Sequence, residues 1–123
     1  MATRGLIGVV LPTGEVKSNF LHFDAHPNTL IPLLNEHYTD PDVLESLLTY
    51  PMVSIHLNGT PEYYEDGYFT SPDLSSDAEA FFRENLDDHG FGSIYGDEYR
   101  YLFDPSTEEW RFQDNSKIPV DHP

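Results

Sequence analysis

The strongest constraint on this chain is its excess of negative charge. Its 123 residues include 22 Asp and Glu but only 6 Lys and Arg, so the formal net charge is −16. Like charges at this density repel one another and oppose a compact state. The chain also carries 8 Phe, 8 Tyr and 1 Trp, whereas disordered chains are poor in aromatics. The sequence therefore predicts one folded acidic domain over residues 1–113, followed by a polar tail over residues 114–123.

The charge is unevenly distributed along the chain. Residues 1–30 are balanced, and the whole excess falls in residues 31–123. The window 62–109 contains 14 acids against only Arg83 and Arg100, which is a net charge of −12. This pattern fits either a surface kept for a basic partner or a surface that serves solubility. It argues against direct binding to nucleic acid, because phosphates require a basic surface.

Several classes of protein are excluded or disfavoured. No apolar run approaches the roughly 20 residues that span a bilayer, and no signal peptide is apparent, so we expect a cytoplasmic protein. The chain has no cysteine, which excludes disulfides, thiolate metal sites and a cysteine nucleophile. Glycine-rich phosphate loops and nucleophile-elbow motifs are also absent.

Hydrophobic periodicity and turn residues predict an α+β fold. We expect an antiparallel sheet of about five strands with three helices packed mainly on one face. The predicted elements are a hairpin over residues 3–23, helices over 29–38 and from 41 to about 49, a strand over 52–57, a helix over 76–88 and a closing hairpin over 98–113. The predicted core residues are Leu33, Leu44, Leu47, Phe81 and Trp110.

Capping residues fix the expected starts of the helices. Asp40 followed by Pro41 is a strong start signal for the second helix, whose apolar face includes Val43. Because proline fits best in a first turn, Pro32 places the N-cap of the first helix at residue 28 or 29. Ser76 and Glu79 have the spacing of a capping box and predict the start of the third helix.

His22, Asp24 and His26 are the most suggestive candidates for chemistry. In a strand, residues at i, i+2 and i+4 share one face, which would place two imidazoles and a carboxylate together. His and Asp bind zinc and other divalent metals, so a metal-binding domain or metal-dependent hydrolase is the alternative hypothesis. The competing interpretation is structural, because Pro27 indicates that the strand has ended by His26. We favour it, and predict no metal, no cofactor and no catalytic residue.

Two segments carry a resemblance to a known group of proteins. GEVKSNFLHFDAHP at residues 14–27, followed by LNEHYTDP at residues 34–41, resembles small proteins of tailed bacteriophages in which His-Trp-Asp-Gly-Tyr-Pro precedes a His-Tyr-Thr/Ser-Asp-Pro segment. Phe23, Ala25 and His26 depart from that pattern, and the closing hairpin around Tyr99–Phe103 is also similar. The resemblance covers roughly a third of the chain. It implies a phage setting and no activity, so no functional residue is transferred.

We therefore expect a phage-encoded, non-enzymatic binding protein. Carboxylates along a surface can stand in for phosphates and speed association with a basic site. The specific form of the hypothesis is a DNA mimic that inhibits a basic host protein for restriction, CRISPR defence, repair or polymerisation. The oligomeric state stays open, a dimer included. The predicted contact residues combine acids with tyrosines, which add contact area at low entropy cost. They are Glu62, Tyr63, Tyr64, Glu65, Asp66, Glu84, Asp87 and Asp88.

Overall fold

The chain folds as a mixed α+β structure with helices on both faces of one sheet. The computed structural model describes residues 3–64, 72–83 and 99–114. Within these ranges there are seven strands and three helices. In chain order they are β1 (Gly5–Val10), β2 (Val16–Leu21), α1 (Pro27–His37), α2 (Pro41–Leu47), β3 (Met52–Ile55), β4 (Pro61–Tyr63), β5 (Asp73–Ser75), α3 (Ala78–Arg83), β6 (Tyr99–Asp104) and β7 (Glu109–Asp114).

The two predicted hairpins form the centre and one edge of the sheet. β1 pairs with β2 and β6 pairs with β7, both antiparallel and over six residues. Gly14 supplies the left-handed backbone of the first turn, with φ of 92°. In the second turn, Oδ1 of Asp104 accepts hydrogen bonds from the amide and the hydroxyl of Ser106. Asp114 is the last residue of β7, and residues 115–123 lie outside the described residues.

The predicted antiparallel sheet is only partly right. The strand order is β4-β3-β2-β1-β6-β7, with β5 also paired to β2. Two of the pairings, β1 with β6 and β2 with β3, are parallel. Parallel strands need a long connection between them, and such long-range pairing leaves no mark in local periodicity. For residues 60–75 the sequence predicts a loop with one short strand at 63–69, whereas this segment contains both β4 and β5, so the sheet has more strands than predicted.

Strand β2 changes partner along one of its edges. Its start, Val16–Ser18, pairs with β5, and its end, Leu21, pairs with β3. Between these pairings the buried Asn19 accepts a hydrogen bond from the Phe20 amide at 2.9 Å. Its side-chain nitrogen donates to the Leu48 carbonyl at 3.0 Å, so Asn19 also ties the end of α2 to the sheet.

The core is split between the two faces of the sheet. Helices α1 and α2 cover one face, where Leu33, Leu44 and Leu47 are buried as predicted and the half-buried Trp110 packs against the same cluster. Phe81 is buried on the opposite face, where α3 covers Leu6, Phe20 and Leu102. The sequence predicts three helices mainly on one face; α1 and α2 share a face, and α3 lies on the other. Successive strand residues point to opposite faces, so both sides of the apolar strands β1 and β6 require a cover.

The N-cap of α1 differs from the prediction. Nδ1 of His26 accepts a hydrogen bond from the Asn28 amide at 3.2 Å, and Pro27 occupies the first turn. The helix therefore starts before residue 28 and places Pro32 in its interior, on the exposed side. Pro27, which suits a first helical position, sets this boundary.

The caps and bounds of α2 and α3 match the sequence predictions only in part. Asp40 caps α2 as predicted, accepting from the Asp42 amide at 2.9 Å, although the helix ends at Leu47 and Val43 is 48% exposed. In α3 the cap is Asp77, whose Oδ1 accepts from the Ala80 amide at 2.8 Å, instead of Ser76. The predicted continuation to residue 88 lies outside the described residues. In the part of the chain that the structure describes, no helix is both long enough and apolar enough to cross a membrane.

Candidate functional site

The predicted His-Asp-His group does not form on a strand face. β2 ends at Leu21, and Asp24 adopts a left-handed backbone with φ of 64°. His26 has left the strand altogether and caps α1, which uses its Nδ1. Over residues 3–64, 72–83 and 99–114, no three His, Asp or Glu side chains are placed to hold a metal ion. The geometry therefore lends no support to the metal hypothesis.

His22 is instead part of an aromatic contact at the end of β2. Its Nδ1 forms a hydrogen bond with the hydroxyl of Tyr64. Its ring stacks on Phe23, with 4.3 Å between the ring centroids and 8° between the planes. Burial, with a smaller contribution from the positive charge of Arg4, lowers the pKa of His22. These contacts join the end of β2 to the segment after β4.

The described members of the predicted partner surface lie at the β4 edge of the sheet. Glu62 is exposed, and its carboxylate lies 3.4 Å from Nε2 of His56. Tyr63 is half-buried, and its hydroxyl donates to the Leu47 carbonyl at 2.7 Å. Burial, reinforced by the neighbouring Tyr38, raises the pKa of Tyr63 to about 12. Both tyrosine hydroxyls, those of Tyr63 and Tyr64, are thus used inside the fold.

The remaining predicted contact residues are not among those the structure describes. Glu65, Asp66, Glu84, Asp87 and Asp88 fall in residues 65–71 and 84–98, outside the described residues. Their role in partner binding stays a prediction from the sequence.

A different group of acids converges at one end of the sheet. β1 and β6 run parallel, so the turn after β1 and the turn after β6 lie at the same end. The start of α2 joins them there. We call residues 11–15, 40–45 and 104–109 the acidic end. It contains seven acids and no Lys or Arg. The acids are Glu15, Asp40, Asp42, Glu45, Asp104, Glu108 and Glu109.

An open cleft of about 440 Å³ lies within the acidic end. Its walls are mainly apolar side chains and prolines from the three segments, and three carboxylates line it as well. The carboxylates are Asp42, Glu45 and Asp104. An apolar wall beside carboxylates suits a side chain that combines an aliphatic stem with a positive head, as Lys and Arg do.

Three of the described bases belong to α3 or to the face that it covers, while Lys17 lies on β2, two residues beyond Glu15. Arg100 is buried and donates to the Phe81 carbonyl. The guanidinium of Arg111 lies 4.9 Å from the centre of the Phe82 ring. Arg83 pairs with Glu79 at 3.5 Å within α3. These three bases are engaged with the protein itself, so they do not offset the carboxylates of the acidic end.

Sequence reasoning missed Asp42 and Glu45 as members of an acidic surface. The prediction used the density of acids along the chain and therefore favoured residues 62–109. Asp42 and Glu45 stand among apolar helix residues, so their local charge density is low. The signal that could have found them is topological, because a parallel pairing of β1 with β6 brings both turns to the end of the sheet where α2 starts.

Comparison with known proteins adds no relative to this description. No protein-family model, no curated protein and no solved structure matches the chain. What the acidic end does must therefore be inferred from its own residues and their placement.

Proposed function

We propose that the chain is a non-enzymatic binding protein whose acidic end docks on a basic surface of a partner protein. The observation that carries this proposal is the convergence of three segments with seven carboxylates and no Lys or Arg at one end of the sheet, while three arginines are engaged in contacts at α3. A negatively charged surface attracts a basic partner before contact and raises the rate of association.

A basic partner is the chemistry that this end fits. The carboxylates around the cleft attract cations, and the apolar wall accepts the methylene stem of Lys or Arg. Proteins that bind nucleic acid present such side chains along a groove. A partner of this kind, held by carboxylates in place of phosphates, would make the protein a DNA mimic. Host restriction, CRISPR, repair and polymerase proteins are the candidates, in keeping with the phage resemblance.

The test compares three variants that change the net charge equally. Glu45→Lys/Glu109→Lys alters the acidic end, Glu36→Lys/Glu79→Lys alters exposed acids on helices, and Glu62→Lys/Glu84→Lys alters the window of highest acid density. Each is mixed with a panel of purified host nucleic-acid-binding proteins, and association rates are measured at low and high salt. Displacement of duplex DNA from the bound partner is measured alongside.

The proposal expects slower association for the acidic-end variant, with the helix variant close to wild type. Wild-type affinity should fall as salt rises, and the protein should displace duplex DNA. Equal losses in all three variants would show that net charge acts without a defined surface. A loss confined to Glu62→Lys/Glu84→Lys would assign the contact to the acid-dense window 62–109 instead of the acidic end. The proposal would be refuted if the association rate were the same at low and high salt and the same in all three variants as in wild type.

A further inference from the structure

Buried polar side chains are concentrated at one place in the described structure. Among residues 3–64, 72–83 and 99–114, the buried polar or charged side chains are Ser18, Asn19, Asp73, Ser75 and Arg100. All but Arg100 lie on β2 or β5, next to the point where β2 changes partner. Polar groups are costly to bury unless they are hydrogen-bonded, so their clustering requires an explanation.

Two of these side chains have no hydrogen-bond partner in the part of the chain that the structure describes. Oγ of Ser18 and Oγ of Ser75 are fully shielded, and neither forms a hydrogen bond with another residue. Ser18 is 0% exposed and Ser75 is 1% exposed. Asn19, by contrast, is satisfied by the Leu48 carbonyl and the Phe20 amide. The explanation is therefore needed for the two hydroxyls.

The pairing register places these hydroxyls and a carboxylate on one face. Ser18 is directly opposite Asp73, and Ser75 is directly opposite Val16. Directly opposed residues share a face of the sheet, and so do residues two apart on a strand. Ser18, Ser75 and Asp73 therefore stand side by side on the face that α3 covers, where Val16 is part of the core.

The backbone at this place is also irregular. Beyond Ser18 the ladder between β2 and β5 ends, and pairing with β3 begins only at Leu21. At this gap the Phe20 amide donates to the side-chain oxygen of Asn19. A change of partner along one edge interrupts close strand packing, and it does so beside Ser18 and Asp73.

We infer that Ser18, Ser75 and Asp73 form an internal binding site for one ordered water molecule at the β2–β5 junction. A buried water needs two to four polar partners, and two hydroxyls with one carboxylate supply them. The water satisfies both hydroxyls and bridges β5 to β2. This inference is independent of the proposed function, since it rests on buried side chains of the face that α3 covers and uses none of the acids of the acidic end.

The stability test uses Ser18→Ala, Ser75→Ala and the double variant, followed by urea unfolding. Losing the bridging water should raise the unfolded fraction about two- to tenfold in each single variant. The double variant should cost about as much as one single variant, because the same water is lost once. Ser54→Ala, at a half-buried serine of β3, is the control and should stay within about twofold of wild type.

Detection of the water itself provides the second measurement. Water–amide cross-peaks in NMR spectra of the wild-type protein should show a long-lived water near Ser18 and Asp73, and the double variant should lose it. If that cross-peak is absent from the wild-type spectrum, the inference is overturned, whatever the stabilities of the serine variants are. Single variants that are as stable as wild type, or more stable, also overturn it, because removing an unsatisfied buried hydroxyl relieves a cost.

Discussion

Gly59 shows how a single residue without a side chain permits a local contact. Its φ is 90°, and a Cβ added there would lie 2.7 Å from Cγ of His37. The carbonyl of Gly59 accepts the hydrogen bond of the buried Tyr38 hydroxyl. The turn at Asn58 and Gly59 therefore also anchors the end of α1.

Replacing Gly59 by alanine should destabilise the protein more than the same change at Gly14. Both glycines have left-handed backbones, but an added Cβ at Gly14 meets nothing within 4 Å. Gly14→Ala should lose about 1–2 kcal/mol of unfolding free energy from the backbone alone. Gly59→Ala should lose about 2–4 kcal/mol, because the clash with His37 is added. Urea unfolding measures both, and equal losses would mean that His37 moves aside without cost.

His22 should make stability fall on the acid side of neutrality. Its pKa is lowered in the folded state, chiefly by burial, so the unfolded chain takes up the proton first. Stability from this group is present above the unfolded pKa of about 6.5 and is lost as the pH falls below it.

The measurement is urea unfolding at several pH values from about 8 to about 5. His22→Gln should remove part of the loss seen in wild type. The control is His56→Gln, at a side chain that is 57% exposed, which should leave that loss in place. A His22→Gln variant with the full wild-type loss would contradict this role of His22.

Elements with local signals were predictable, and long-range pairings were not. The turn at residues 12–14 and the cap at Asp40 act within a few residues, and both hairpins and the start of α2 are as predicted. The parallel pairing of β1 with β6 and the side on which α3 packs depend on residues far apart in the chain. The acidic end was missed for the same reason, since three separate segments build it.

Two neighbouring residues of α2 test which face of this helix packs against the sheet. Leu44 is fully buried under the sheet, whereas its neighbour Val43 is 48% exposed. Leu44→Ala should lose about 2–5 kcal/mol of unfolding free energy, because it leaves a cavity in the core. Val43→Ala should change it by no more than about 0.5 kcal/mol. Similar losses for the two variants would show that α2 is rotated relative to this structure.

At the scale of the whole molecule, the net charge of −16 opposes the fold that displays it. The described arginines at α3 are used in internal contacts, so they reduce the repulsion at the acidic end little. Repulsion among the carboxylates therefore lowers the stability of the unbound protein. That repulsion is relieved when counterions or a basic partner gather at the acids.

Salt should therefore stabilise the free protein. Raising NaCl from about 20 mM to about 500 mM shortens the Debye length from roughly 20 Å to about 4 Å. We expect the Tm to rise by about 4 °C or more, which corresponds to roughly 1 kcal/mol. The Glu45→Lys/Glu109→Lys variant should start from a higher Tm at low salt and gain less. A Tm that falls with salt in wild type would show that favourable ion pairs outweigh the repulsion.

The parallel pairing of β1 with β6 has a consequence for the order of events during synthesis. The β1–β2 hairpin can close as soon as residue 21 has left the ribosome, but the other edge of β1 is filled by residues 99–103. Until those residues emerge, an apolar strand at the centre of the final sheet has one open edge. Open edges recruit other chains. A nascent chain stalled before residue 99 should therefore be prone to aggregation, and completion of β6 is the step that ends this exposure.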